Sequence, residues 1–105
     1  MSSEREVVES PIEQGEDEAR AYTITTTPWG TGTLSATSCT LWDVTERTWV
    51  DKSSTMLTGS ISSTATTFTS KRVTGLVAGH LYRLEWLFDI DSDTNQAFLM
   101  IEATR

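Results

Sequence analysis

Leu81-Tyr82-Arg83-Leu84-Glu85-Trp86-Leu87-Phe88-Asp89-Ile90 is the stretch whose pattern decides the fold. Tyr82, Leu84, Trp86, Phe88 and Ile90 occupy one parity, and Arg83, Glu85, Leu87 and Asp89 occupy the other. Successive side chains of a strand point to opposite faces, so a period of two predicts a half-buried strand with Trp86 on its buried side. Toward the C-terminus, residues 91–95 supply turn chemistry, being rich in Asp and Asn. Ala97, Leu99, Ile101 and Ala103 then alternate with Phe98, Met100, Glu102 and Thr104. The two runs predict a hairpin of about nine residues a side, the spine of the domain.

Toward the N-terminus the texture is that of short strands. Residues 21–74 hold 25 Ser and Thr, with β-branched and aromatic residues between them and no apolar recurrence at helical spacing. Threonine suits a pleated, half-exposed surface and loses rotamer freedom in helices. Tyr22, Ile24 and Thr26 alternate with Thr23, Thr25 and Thr27 until Pro28 and Gly30 end the run. Residues 34–44 read as a strand, with Ala36, Thr40, Trp42 and Val44 on one parity and Cys39 and Leu41 on the other. Residues 45–47 read as a turn, 48–50 as a short strand, and 56–62 and 66–73 as two more. About seven short strands at this spacing predict an all-β class, a sandwich of the immunoglobulin or fibronectin III type.

The first twenty residues differ. Glu4, Glu6, Glu9, Glu13, Glu16, Asp17 and Glu18 face only Arg5 and Arg20, a net of −5 against −7 for the whole chain, so residues 21–105 carry −2. Few apolar residues (Val7, Val8 and Ile12) are available to offset ordering entropy, so residues 1–20 read as an acidic, extended arm beside a sandwich domain of residues 21–105. No basic stripe is present to displace counterions from phosphates, so nucleic acid is not expected as a partner. Cys39 is the single cysteine, so no internal disulfide can form. No apolar run reaches the ~20 residues of a membrane span or resembles a signal peptide, so no membrane is expected and synthesis in a cytoplasm is.

Few residues suggest chemistry. Asp91, Asp93, Asn95 and Glu102 match calcium-loop positions 1, 3, 5 and 12. The glycine needed at position 6 is Gln96, and the flanks are strands, so an acidic hairpin tip is the expected reading. His80 has no nucleophile or carboxylate at a motif spacing, and Cys39 inside a strand reads as a small buried apolar residue. No cofactor, metal site or catalytic residue is expected, and the chain reads as a non-enzyme. Of the tryptophans, Trp86 and Trp42 are expected in the core. Trp29 and Trp49 are the surface candidates, for a protein interface or a sugar platform.

Leu76, Gly79 and Tyr82 stand three residues apart immediately before the alternating strand. This spacing resembles the tyrosine corner of immunoglobulin-like and fibronectin type III domains, where the hydroxyl bonds back to upstream backbone. Residues 41–45 (Leu-Trp-Asp-Val-Thr), 57–60 (Leu-Thr-Gly-Ser), 74–84 and the closing hairpin together resemble small immunoglobulin-like virion structural proteins of tailed bacteriophages. The resemblance implies a binding role in a phage particle, as capsid decoration or cement or as a head–tail connector or tail component, and localisation in the virion. Its implied partners are other virion proteins, with homo-oligomers inside an assembly. The arm would latch onto a neighbouring subunit through Val7, Val8 and Ile12, with Trp29 and Trp49 as secondary contacts. The alternative is a carbohydrate-binding sandwich that uses the exposed tryptophans.

Overall fold

In the computed structural model, which describes residues 3–6, 11–30 and 32–105, the alternation at residues 81–90 is realised in full. Tyr82, Leu84, Trp86, Phe88 and Ile90 are all buried, and none of the residues between them is. The strand segments along the chain are β1 (Ser3–Glu6), β2 (Ile12–Gly15), β3 (Thr23–Thr25), β4 (Leu34–Asp43), β5 (Val50–Asp51), β6 (Leu57–Thr58), β7 (Ser62–Ser63), β8 (Thr67–Thr69), β9 (Arg72–Val73), β10 (Leu81–Ile90) and β11 (Asp93–Thr104). A 3-10 turn at Thr27–Trp29 and a single helical turn, α1 (Ser53–Met56), complete the elements. The chain is all-β and sandwich-like.

One large sheet has the order β1-β11-β10-β4-β5, with β2 also on β11. The opposing layer is fragmentary: β3-β8-β7 and the pair β6-β9. β8 and β9 are two stretches of one interrupted strand, and β6 and β7 are two stretches of its neighbour. Ile24, Leu57, Phe68, Val73 and Leu76 from this layer meet the buried parity of β10 and β11. Phe68 packs edge-to-face on Phe88 across the interior, with ring centroids 6.2 Å apart.

The hairpin is tighter than the sequence suggests. Ile90 pairs with Asp93, so only Asp91 and Ser92 lie outside the ladder. Asp91 takes φ 55°, a conformation that Asp tolerates better than most residues. Its N–H donates to the Thr33 carbonyl (2.9 Å), and its Oδ1 accepts the Thr33 N–H (3.0 Å), which ties the tip to the entry of β4.

β4 corrects one expectation. Trp42 lies on the outer side, half-buried, while Cys39 and Leu41 are in the core. The cause is a β-bulge: Phe88 pairs with Ala36 but Leu87 pairs with Ser38, leaving Thr37 as the extra residue. One inserted residue reverses the parity of everything beyond it. Leu34 and Ala36 therefore face the core before the bulge, and Cys39 and Leu41 face it after.

The N-terminal segment runs with the chain's own sheet. β1 pairs in parallel with residues 95–98 of β11, and β2 with residues 101–104. Ile12 packs against the core, and Gln14 is fully buried between the layers. Its Nε2 donates to the carbonyls of Val73 (2.9 Å) and Glu18 (3.0 Å), and its Oε1 accepts the Tyr22 hydroxyl (2.5 Å). A buried amide with each of these groups satisfied costs little and fixes one register. Burial pushes the Tyr22 phenol up to about 12. Two inward residues suffice because β11, rather than a hydrophobic patch of the segment's own, satisfies the backbone.

Candidate functional site

The outer parity of β10 is where charge and aromatic surface converge. Arg83 pairs in register with Trp42 on one side and Met100 on the other, and Glu85 with Thr40 and Phe98. Residues opposite one another on one sheet face stand close enough to interact, so these side chains meet above the sheet. The Arg83 guanidinium lies 3.8 Å from the Phe98 ring centroid and 5.3 Å from that of Trp49. Its Nε donates to Glu85 Oε2 at 2.7 Å, while Glu85 Oε1 accepts the Trp42 indole N–H at 2.9 Å. Trp42 and Trp49 pack at 6.3 Å with their planes tilted 51°.

Aromatic neighbours leave the Arg83 and Glu85 side chains only 12% and 14% exposed, although they stand on the outer face. A desolvated pair held by two hydrogen bonds and two ring contacts is a rigid feature, unlike a mobile surface ion pair. Around it Trp49 remains 48% exposed, and Leu87, Phe98 and Met100 are half-buried. The face therefore combines Trp, Phe, Met and Arg, the residue types enriched at the centres of protein interfaces. Both Glu85 carboxylate oxygens are committed, one to Arg83 Nε and the other to the Trp42 indole N–H. The face can bind.

A second cluster lies at the corner where β10 begins. The Val77 N–H donates to the Tyr82 hydroxyl at 3.0 Å, five residues back along the chain, as the tyrosine-corner spacing predicts. Leu76 is buried beneath it, and Gly79 takes φ 87°, a region that L side chains rarely adopt. His80 stacks on the Tyr82 ring with centroids 6.2 Å apart, and its Nδ1 lies 2.8 Å from Asp43 Oδ2. Sequence spacing concealed this partner, because the two residues are 37 positions apart and meet only through the pairing of β10 with β4. Thr45 donates its backbone N–H and its hydroxyl to Asp43 Oδ1 (3.0 and 2.6 Å) and accepts the Leu81 N–H (2.9 Å). Burial alone would push the Asp43 carboxyl up, but the hydrogen bonds from Thr45 and His80 outweigh it and hold the group below its ordinary value. The cluster braces a corner.

The remaining sequence candidates are spread over the molecule. Val7 and Val8 lie outside the described residues, and Ile12 packs on the chain's own core. Trp29 is half-buried, edge-to-face on Phe88 at 5.6 Å, and therefore sits on the core side of the large sheet. Trp49 sits on the opposite side, so these two tryptophans do not form a common platform. Asp91 and Asp93 flank the tip while Asn95 is buried, and Glu102 pairs with Leu81 at the far end of the hairpin. Among the described residues no group of three or more His, Cys, Asp or Glu is placed to hold a metal ion. Cys39 is buried, and desolvation pushes its thiol up, which works against thiolate chemistry. Among the described residues no helix is long and apolar enough to cross a membrane.

Sequence reasoning missed Arg83, Glu85, Trp42 and Phe98 as a group. The available signal was that Leu87, Phe98 and Met100 occupy the parity a solvated face would fill with polar residues. No protein-family model matches the chain, and no curated protein is similar to it.

Proposed function

We propose that this chain is a non-enzymatic structural protein of a phage particle that works by protein–protein binding through the outer face of its large sheet. The observation that carries the binding role is the Arg83–Glu85 pair enclosed by Trp42, Trp49 and Phe98. Residues that dominate binding energy are commonly Trp and Arg, set in a well-packed centre and ringed by near-neutral contacts. A rigid sheet presents them with little ordering cost on binding. The assignment to a phage particle, as decoration, connector or tail subunit, rests on the resemblance of residues 41–45, 57–60 and 74–84 to such proteins.

Tryptic mass spectrometry of purified virus particles from the source, quantified against the major capsid protein, tests the assignment. Hundreds of copies per particle would indicate decoration, and about six to twelve a connector or tail ring. Absence from washed particles would defeat the virion reading. Loss of the protein from particles when Trp49→Ala is introduced would place the contact on the outer face.

A further inference from the structure

We infer that the occupant of this outer face is a basic protein surface, with an apolar centre and Lys or Arg side chains around it. The inference rests on the outer face being a protein-docking surface, as argued above, and it goes on to name the chemistry of the partner.

Charge decides that chemistry. Strand register places four carboxylates on the outer parity, around the aromatic centre rather than within it. Asp51 of β5 stands opposite Trp42, and Asp89 lies two positions beyond Leu87 at the tip end of β10. Glu102 lies two positions beyond Met100 on β11, and Glu13 of β2 stands directly opposite it. Arg83 is already paired with Glu85 at 2.7 Å, so the surrounding carboxylates set the sign of the face. The whole chain carries −7, so the long-range field has the same sign. A nucleic acid, an anionic lipid surface and a second copy of the chain are all repelled by it. A neutral sugar gains nothing from the carboxylates. A basic protein surface is drawn in by them and held by Trp49 and its neighbours.

Glu13 and Glu102 carry this argument furthest. Their inward neighbours, Ile12 and Gln14 on β2 and Ile101 and Ala103 on β11, are packed into the interior and fix the register. The two carboxylates therefore cannot part by a slip of the strands. Both residues are exposed, and neither has a hydrogen bond or ion pair among the described residues. Asp51 and Asp89 differ, since they accept the Ser53 N–H and the Thr94 hydroxyl. Like charges directly opposite on one sheet face destabilise it. A Lys or Arg from outside, set between Glu13 and Glu102, removes that repulsion and forms charge-assisted hydrogen bonds with both. The pair begins about 7 Å from Met100, two residues along the strand, so one partner patch reaches it and the apolar centre together.

Isothermal titration calorimetry of the full-length chain at low and at moderate salt tests the inference with three synthetic peptides of one length. The first is an amphipathic Leu–Lys peptide, the second its Leu–Glu counterpart, and the third a Ser–Lys peptide with charge but no apolar face. The Leu–Lys peptide is expected to bind at one per chain and to weaken as salt rises. The Ser–Lys peptide is expected to bind at least about 10-fold more weakly, and the Leu–Glu peptide not at all. Trp49→Ala is expected to weaken Leu–Lys binding by about 30-fold, the scale of a hot-spot loss. Trp49 is 48% exposed, so its truncation leaves the fold intact, which circular dichroism would verify. Glu13→Gln with Glu102→Gln is expected to weaken binding about five-fold at low salt and to raise the urea midpoint. Asp17→Asn with Asp93→Asn removes the same charge at two exposed positions off this parity and is expected to change neither.

The inference is overturned if the two double variants weaken binding alike, if the Leu–Glu peptide binds as well, or if no peptide binds by about 1 mM. A urea midpoint that falls in the Glu13→Gln, Glu102→Gln chain also overturns it, since the pair would then serve the fold. Trp49-dependent self-association that the Leu–Lys peptide competes away would make a second copy the occupant and overturn it too. If Trp49→Ala empties particles of the protein while Glu13→Gln with Glu102→Gln does not, the basic occupant is overturned and the docking role of the face stands. If the peptides behave as expected but the protein is absent from washed particles, the inference holds and the virion reading fails.

Discussion

The two sides of β10 use similar aromatic material in different ways. On the inner side Tyr82, Leu84, Trp86, Phe88 and Ile90 lie beneath a layer the chain itself provides, from Ile24 through Phe68 to Leu76. On the outer side Arg83, Glu85 and Leu87 stand among Trp42, Trp49 and Phe98, and no part of the described chain lies over Trp49 enough to bury it. Burial of the inner aromatics is a folding term, roughly proportional to the apolar area removed from water. Of the outer aromatics, Trp49 keeps 48% of its surface, so its contribution is available to a partner. One strand thus separates the residues that make the fold from those proposed to make the contact.

The sharpest way to break the comparison is Trp86→Ala. Trp86 is fully buried at the centre of the inner face, between Ala97 and Cys39 in register. Truncation is expected to cost about 3–5 kcal/mol, from lost transfer energy and the cavity left behind. That is a large part of the ~5–15 kcal/mol of a typical domain. A urea titration would show the midpoint collapse. A loss below about 1 kcal/mol would mean that the inner face is not the core.

Tyr82→Phe examines the edge of the inner face. It keeps the ring and removes only the hydroxyl that accepts the Val77 N–H. The expected loss is about 1–2 kcal/mol, a hydrogen bond plus the penalty on a half-buried N–H left without a partner. No change in stability would mean that the corner spacing at Leu76, Gly79 and Tyr82 has no structural weight.

The brace at Asp43 adds a pH dependence. The Asp43 carboxyl is held below its ordinary value when folded, so the unfolded chain binds its proton more tightly. The stabilisation is complete above the unfolded value of about 3.9 and is lost as pH falls through the lower folded value. Asp43→Asn is expected to flatten the stability profile in that acid window. An unchanged profile between about pH 4 and pH 2 would show that Thr45 and His80 do not stabilise the charged form.

Much of the inner face was legible in the sequence, and the reason is physical. β10 and β11 are long, regular and half-buried, so period two maps directly onto burial, residue by residue. Trp42 was misplaced because nothing in residues 34–43 marks Thr37 as an inserted residue; the bulge exists only relative to β10. Ile12 and Gln14 were hidden by the acids around them, since a composition average cannot see that two inward positions meet β11 and Val73. The Asp43–His80 contact was invisible for the same cause, a pairing between elements far apart in sequence. The outer face was half legible: its apolar residues break the expected polar parity, but the clamp around Arg83 needs the register of three strands.

Trp49→Ala is expected to have the smallest effect on folding and is the most informative about the outer face. Trp49 lies outside the strands, just before β5, and its contacts are the Trp42 ring and the Arg83 guanidinium. Arg83 keeps Phe98 on its other contact and Glu85 as its ion-pair partner, so the centre of the face remains assembled without Trp49. The expected loss of stability is therefore about 0.5 kcal/mol or less, the range of surface changes away from special features. Urea midpoints would register that small shift beside the large one of Trp86→Ala. A Trp49 loss approaching that of Trp86 would make the outer aromatics part of the core and leave no surplus for a partner. Near-neutral folding together with lost association would separate the two faces energetically as they are separated in space.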